Sequence, residues 1–183
     1  MVNAVAFAVG ACGGFLLCRW LLRGGYLNAE QMLTGYTVAF NARVETVRFS
    51  EVLWDVGRWH LLVWVLGSTS LGRWMVPFVF AARGFFLSYA VAGLSVAAQG
   101  GVVLAFCVFG VGALLSLPVL FLLGGQSFEM SEQIHGRLFA AFSDYPKAYW
   151  LRSLLSLGGV LACAAAEYWC LPMILRRITP FLA

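Results

Sequence analysis

Two charged residues inside long apolar stretches are the first candidates for chemistry in this sequence. Arg83 lies near the middle of one stretch, and Glu167 lies just past the middle of another. An ionisable side chain at the centre of a bilayer costs about 2.5–3.5 kcal/mol on insertion scales, so such residues are usually paired or functional. An acid and a base at similar depth can form an ion pair or exchange a proton.

Three interpretations of Arg83 and Glu167 stay open. A structural ion pair that fixes helix register is favoured, because the rise per residue puts both groups within about one helical turn in depth. A proton or ion relay is the second interpretation, although one acid and one base make a short chain. In the third interpretation, a different division of the helices leaves Arg83 at the membrane interface.

Other residue types form no catalytic constellation. His60 and His135 are far apart in the sequence, and we expect both to be ordinary surface histidines near the membrane interface. The five cysteines lie in apolar runs without CxxC spacing, which is typical of buried small residues. Neither HExxH nor GxxxxGKS/T occurs. We therefore predict a protein that is not an enzyme and that has no catalytic residues, no cofactor and no metal.

The composition indicates what kind of elements must position these residues. Of the 183 residues, 62% are apolar and 11% are charged, and the mean hydropathy is +0.87. Soluble domains are about 45–50% apolar and about 25% charged, so a soluble globule could not cover this much apolar surface. We predict an all-α membrane protein with one integral membrane domain over residues 1–183 and the lipid bilayer as its solvent. The basic residues behind the net charge of +4 stand singly, apart from the pair Arg176-Arg177, which argues against nucleic acid as a partner.

The apolar stretches predict about five transmembrane helices. Residues 59–123 hold only two charges, Arg73 and Arg83, and would extend about 98 Å as helix, enough for three crossings of about 30 Å. One apolar stretch before them and one after them each add a crossing. The division of residues 59–96 stays open. The predicted spans are approximately 2–22, 56–72, 74–96, 101–123 and 151–175.

Two polar connections have the period of amphipathic helices. In residues 27–50 and in residues 127–143, apolar side chains recur at three- and four-residue spacing, opposite charged ones. With no soluble core nearby, the apolar face of each segment must lie on lipid or on the helix bundle. We therefore expect two interfacial helices.

Small residues four positions apart predict close contact between helices, because they let two membrane helices approach each other. The alternative is that these helices are merely rich in glycine and alanine. Pro118 in the fourth span is expected to bend its helix. A homo-oligomer is also kept open. The three stripes of small residues are Ala6, Gly10 and Gly14; Gly84, Ser88 and Ala92; and Gly158, Ala162 and Ala166.

Several short pieces of the sequence follow one another in an order and spacing found in a known family. They lie in residues 59–124 and in the last helix, roughly half of the chain. The pieces are Leu62 to Gly67, Arg83-Gly84 with Phe85-Phe86, Gln99-Gly100-Gly101, Leu117-Pro118, Leu123-Gly124, Ala165-Ala166-Glu167-Tyr168 and Leu171-Pro172-Met173. Together they resemble the stage II sporulation protein M family of bacterial and archaeal membrane proteins. The chain departs from the family at Val111, Gly112 and Ser116, where many members carry a proline and polar residues.

The resemblance implies a non-enzymatic scaffold in the cell membrane. In spore-formers, the similar protein anchors and localises two peptidoglycan-degrading partners, stage II sporulation proteins D and P, during engulfment. It does so in the mother-cell membrane that faces the septum. We therefore expect membrane or cell-wall proteins as partners, with residues 27–50 as the docking element.

Two other functions stay open. A permease-like subunit of an ATP-driven transport complex would need a coupling helix on the cytoplasmic side, for which residues 127–143 are the candidate. A protein that handles lipids or small molecules is favoured only by the intramembrane charges of Arg83 and Glu167.

Two criteria predict opposite orientations. The resemblance implies that the first helix starts in the cytoplasm, so that residues 23–58 face outward and residues 124–150 face inward. Basic residues tend to stay in the cytoplasm, and their distribution favours the reverse. In the family orientation seven would lie outside (Arg19, Arg23, Arg43, Arg48, Arg58, Arg176 and Arg177) and four inside (Arg73, Arg137, Lys147 and Arg152).

Overall fold

The computed structural model describes residues 1–28, 31, 32, 34, 35, 48–97, 101–133 and 147–178. Within these ranges the chain forms helices and turns and no strand, so the prediction of an all-α membrane protein is confirmed. Most of the predicted amphipathic helix 27–50 lies outside the described residues. The same is true of residues 134–143 in the second predicted amphipathic helix, and of His135.

Six α-helices can be given bounds within the described residues, and a short π-helical segment, Phe106–Gly110, joins the fourth to the fifth. Helices form because a backbone in lipid must satisfy its own hydrogen bonds. Four of them are long and apolar enough to cross a membrane, over Val2–Arg23, Gly72–Val96, Gly112–Gln133 and Tyr149–Cys170. The helices are α1 (Val2–Arg23), α2 (Phe49–Gly67), α3 (Gly72–Ala97), α4 (Gly101–Ala105), α5 (Val111–Gln133) and α6 (Lys147–Ile178).

Helix α2 is the element on which a fifth crossing depends. Its 19 residues extend about 28 Å, close to the thickness of the hydrocarbon core. Its first three turns carry three charged residues, Glu51, Asp55 and Arg58. Because of these charges, α2 is not among the four helices that are apolar enough to cross a membrane. The helix begins before the predicted span 56–72 and ends earlier, because residues 68–71 turn back. A fifth crossing at α2 stays a prediction.

The helix that corresponds to the fourth predicted span, 101–123, has different bounds from that span. The part of it that is long and apolar enough to cross a membrane is Gly112–Gln133, and α5 continues through the glycine pair Gly124-Gly125. A glycine pair does not end a helix here, since lipid offers no alternative hydrogen-bond partner for the backbone. Residues 127–133, predicted to begin an amphipathic helix, therefore belong to α5.

The contacts between helices define their directions. Gly10 lies on Ala81 and Gly14 on Phe85, so α1 and α3 run parallel. Helix α5 runs antiparallel to both α3 and α6, as shown by the contacts of Arg73 with Glu132 and of Gly159 with Val119. Helix α2 runs parallel to α5, with Gly67 against Ser127. The bundle thus has a first end, where α1, α3 and α6 begin, and a second end, where they finish.

The tight turn between α2 and α3 lies at the first end. Ser68 Oγ donates a hydrogen bond to the carbonyl oxygen of Trp64 at 3.2 Å, and Thr69 Oγ1 donates to that of Leu66 at 2.8 Å. These bonds satisfy carbonyl groups at the end of α2 that have no partner within the helix. The turn therefore holds α2 and α3 side by side.

The core of the bundle lies between α2, α3 and α5. It contains Val63, Val76, Phe80, Leu120 and Leu123, all nearly fully buried. The outer faces carry large apolar side chains that are largely exposed. In a bilayer these residues contact lipid tails, which are as apolar as they are. Examples are Trp74, Phe78, Leu155 and Trp169.

Candidate functional site

A group of polar side chains from α2, α3 and α6 lies between these helices, in the middle of the bundle and toward the second end, where the Arg58 side chain is 51% exposed. We call it the interior polar cluster: Asp55, Arg58, Trp59 and His60 of α2, Arg83 of α3 and Glu167 of α6. Helix α5 closes one side of it through Gly112 and Ser116. Both charges that the sequence singled out are members.

Arg83 lies in the middle of α3 and is half-buried. Its guanidinium carbon is 5.3 Å from the centroid of the Trp59 ring, a cation–π arrangement. The charges of Glu167 and Asp55 favour the guanidinium cation, and that of Arg58 opposes it. An aromatic face covers the cation, and the ion pair of Arg83 with Glu167 stays a prediction.

Glu167 lies directly against the backbone of α5. A Cβ atom added to Gly112 would come within 2.9 Å of the Glu167 carboxyl carbon, well inside van der Waals contact. Glycine at this position therefore provides the space that the carboxylate occupies. The role of Gly112 is therefore steric.

His60 is placed differently from the prediction. It is 5% exposed, so the expectation of a surface histidine is wrong for this residue. Its Nδ1–H donates a hydrogen bond to the carbonyl oxygen of Val56, one turn earlier, at 2.9 Å. Its Nε2 atom is buried and has no hydrogen-bond partner among the described residues. The residue faces inward because α2 packs on α3, α5 and α6, a point that the sequence of α2 alone does not reveal.

Trp59, Asp55 and Arg58 belong to the cluster although the sequence analysis did not single them out. Asp55 and Arg58 approach each other to 3.7 Å across one turn of α2. One feature of the sequence could have indicated them. Asp55 and Trp59 are four residues apart, which puts both on one face of a helix that otherwise contacts apolar neighbours.

Two of the predicted stripes of small residues meet each other. A Cβ atom on Gly10 would lie 2.6 Å from the carbonyl carbon of Ala81, and one on Gly14 would lie 2.9 Å from that of Phe85. On the other helix, Gly84 faces Phe7 and Ala11. Ser88, which belongs to the same stripe as Gly84, lies beside Gly14. Such backbone contact is what small-residue stripes permit in membrane helices.

The third predicted stripe has a different position. Gly158 and Ala162 are exposed, and no atom lies within 4 Å of a Cβ position on Gly158. Helix α6 instead packs through the next face, where a Cβ atom added to Gly159 would lie 3.0 Å from the Val119 side chain and where Val160 and Cys163 are buried. Pro118 lies inside α5, which continues past it, so a bend at Pro118 stays a prediction.

Within the described part of the chain, no three histidine, cysteine, aspartate or glutamate side chains stand together as a metal site. The fold and the cluster define the class as a multi-pass helical membrane protein with charges in its interior. Comparisons with protein-family models, with curated proteins and with solved structures find no match.

Proposed function

We propose that the chain is a non-enzymatic membrane scaffold that anchors and localises peptidoglycan-degrading partners at the cell membrane, in the manner of stage II sporulation protein M. In a spore-former its place would be the mother-cell membrane that faces the septum, and proteins D and P of stage II would be its partners. The resemblance in sequence is the source of this proposal.

The packing of the interior polar cluster is the observation that carries the scaffold proposal furthest. The charges of Arg83 and Glu167 act on each other, and the ring of Trp59 covers the guanidinium group. We expect charges placed in this way to hold three helices in register. A fixed register is what an anchor for other proteins requires.

The backbone contact of α1 with α3 also supports a rigid scaffold. At Gly10 and Gly14 the two helices leave no room even for a methyl group. A helix pair packed so closely cannot slide without losing its contacts, and a scaffold needs no such sliding.

Crosslinking in the native membrane tests the proposal. The tagged full chain is captured after mild crosslinking, and the attached proteins are identified by mass spectrometry. We expect wall hydrolases or septal proteins, and we expect them to be lost when residues 27–50 are replaced by a glycine–serine linker of equal length. Leu161→Val, on the exposed face of α6, is the matched control and should capture the same proteins.

Capture of a nucleotide-binding ATPase would contradict the scaffold proposal, above all if altering residues 129–142 abolished it. That result would support the second candidate, a permease-like subunit.

One observation favours the permease-like subunit. Several buried polar atoms have no hydrogen-bond partner among the described residues; they include Asn3 Oδ1, Ser127 Oγ and Ser131 Oγ toward the first end and His60 Nε2 in the cluster itself. Ser127 and Ser131 lie one turn apart on α5, beside Gly67 and Gly72. Buried polar atoms of this kind are usually satisfied by internal water, and a row of waters is the beginning of a solute path.

A further inference from the structure

An open groove lies between α5 and α6 on the outside of the bundle, apart from the interior polar cluster. Its volume is about 480 Å³, within the range of about 300–1,000 Å³ that is common for ligand sites. Leu122 and Leu155 form its outer edges, and each is 68% exposed. The groove therefore opens toward lipid.

The groove changes from apolar to polar along its length. On α5 it begins at Val119 and ends at Glu129, a distance of about 15 Å along the helix axis. This is half the thickness of the hydrocarbon core, which is about 30 Å. Glu129 lies toward the first end of the bundle, so the polar part is at the membrane interface and the apolar part reaches the midplane. The dimensions are those of one leaflet.

The polar part contains opposite charges that are not satisfied by each other. Glu129 of α5 and Arg152 of α6 both line the groove. Among the described residues, no ion pair within 4.0 Å includes either of them. Gln126, between them and the apolar part, has a buried Oε1 atom with no hydrogen-bond partner in the described chain. The groove thus presents one cationic donor, one anionic acceptor and one buried neutral acceptor.

These groups match the headgroup of an amine phospholipid. A phosphate accepts hydrogen bonds from an arginine, which is a preferred partner for this anion. A primary ammonium has three donors and can serve both the Glu129 carboxylate and Gln126 Oε1. A choline headgroup carries no such donor. An anionic headgroup without an amine would leave Glu129 facing a like charge.

We infer that the groove between α5 and α6 binds one phospholipid of the phosphatidylethanolamine type. Its phosphate lies at Arg152, its ammonium at Glu129 and Gln126, and one acyl chain lies along Val119, Leu122 and Leu155. This site does not depend on the proposed scaffold function, because it uses none of the residues of the interior polar cluster or of residues 27–50.

Photocrosslinking in vesicles tests the site. The full chain is reconstituted in phosphatidylcholine vesicles that contain a minor fraction of phosphatidylethanolamine with a photoreactive acyl chain, and the labelled residues are mapped by mass spectrometry. We expect labels within residues 119–129 and 152–156. Photoreactive phosphatidylcholine at the same fraction should label the groove about tenfold less, since it lacks the ammonium donors.

Variants separate this site from ordinary lipid contact. Arg152→Gln and Glu129→Gln should each reduce labelling about tenfold, since each removes a charge-assisted hydrogen bond. Arg152→Lys keeps the charge and should retain most of it. Leu155→Trp should abolish labelling by filling the apolar part, without touching a charge. Arg73→Gln is the matched control, because Arg73 is a charged residue at the same end outside the groove.

Three results would overturn the inference. Equal labelling by both lipids, unchanged in every variant, would mean non-specific contact with bulk lipid. Preferential labelling by phosphatidylglycerol would mean an anionic-lipid site. Crosslinks from the groove to a protein segment rather than to lipid would mean a protein-docking surface.

Discussion

The contact between α1 and α3 and the interior polar cluster hold helices together in different ways. At Gly10 and Gly14, the backbone of α1 lies against the backbone of α3, with the short Ser88 side chain beside Gly14. In the interior polar cluster, the helices meet through long side chains, and the ring of Trp59 lies against the guanidinium group of Arg83. Where two helix backbones are in contact, no space remains between them for a charged side chain. Where long side chains hold the helices further apart, that space exists.

The largest expected effect comes from removing one interior charge. Arg83→Leu should lower the free energy of unfolding by about 3–5 kcal/mol, because Glu167 is left as an uncompensated charge. The double variant Arg83→Leu with Glu167→Leu should regain most of that loss. Unfolding in detergent, followed by tryptophan fluorescence, measures both.

Arg73→Leu is the control for this prediction, because Arg73 lies on the same helix but is mostly exposed. If adding Glu167→Leu rescued none of the stability lost in Arg83→Leu, the two residues would not be acting as a pair.

The second effect tests the α1–α3 contact with a single methyl group. Gly10→Ala should cost about 1–3 kcal/mol of unfolding free energy, since the new Cβ meets the rigid backbone of Ala81. Gly13→Ala is the matched control: its Cβ would lie 3.8 Å from Phe85, an ordinary contact. Thermal unfolding of both variants in the same detergent makes the comparison. Equal stabilities would mean that α1 does not pack on α3 through Gly10.

A smaller effect is expected where a methyl group meets a movable side chain. Gly112→Ala should cost about 1 kcal/mol, the lower limit for overpacking, because the Glu167 carboxylate can shift. Gly125→Ala on the same helix is the control. Its new Cβ atom would have no neighbour within 4 Å, so the unfolding free energy should not fall. In a Glu167→Ala background the cost at Gly112 should disappear. If Gly112→Ala still lowered the unfolding free energy in the Glu167→Ala background, the new methyl group would be colliding with a residue other than Glu167.

The smallest effect is expected at the surface ion pair between α3 and α5. Arg73 and Glu132 approach to 3.8 Å, with their side chains 59% and 46% exposed. Arg73→Ala should therefore change the unfolding free energy by less than about 1 kcal/mol. This difference should shrink further at high salt, because exposed charges are screened. A larger loss of unfolding free energy that did not depend on salt would show that the Arg73–Glu132 pair is shielded from solvent, in contrast to its exposure in this structure.

The sequence predicted the parts of the fold that depend on local composition. The four apolar spans follow from hydrophobic length, and the exceptional depth of Arg83 and Glu167 follows from their neighbours in the sequence. The spacing of Gly10, Gly14 and Gly84 indicated close packing, and these residues do lie at a helix contact. The continuation of α5 to Gln133 was missed, because Gly124-Gly125 and the polar residues after them look like the end of a helix.

The faces that the helices turn toward each other were not predictable in the same way. Gly158 and Ala162 had the same spacing as Gly10 and Gly14, but they face outward, and α6 packs through Gly159 and Cys163. His60 was expected at the surface and is buried. In lipid, an apolar side chain is equally well solvated by a neighbouring helix or by an acyl chain, so periodicity does not reveal which face is inside.

The solvent, the helical class and the presence of two costly charges can be inferred from the order of residues alone, since each of these depends on how many apolar residues follow one another. The tertiary structure alone decided that Trp59 covers Arg83, that Gly112 makes room for Glu167, and that Glu129 and Arg152 share a groove. Those relations join residues from different helices. They depend on the rotation and register of each helix, which are set by packing at the contacts and not by the composition of any one segment.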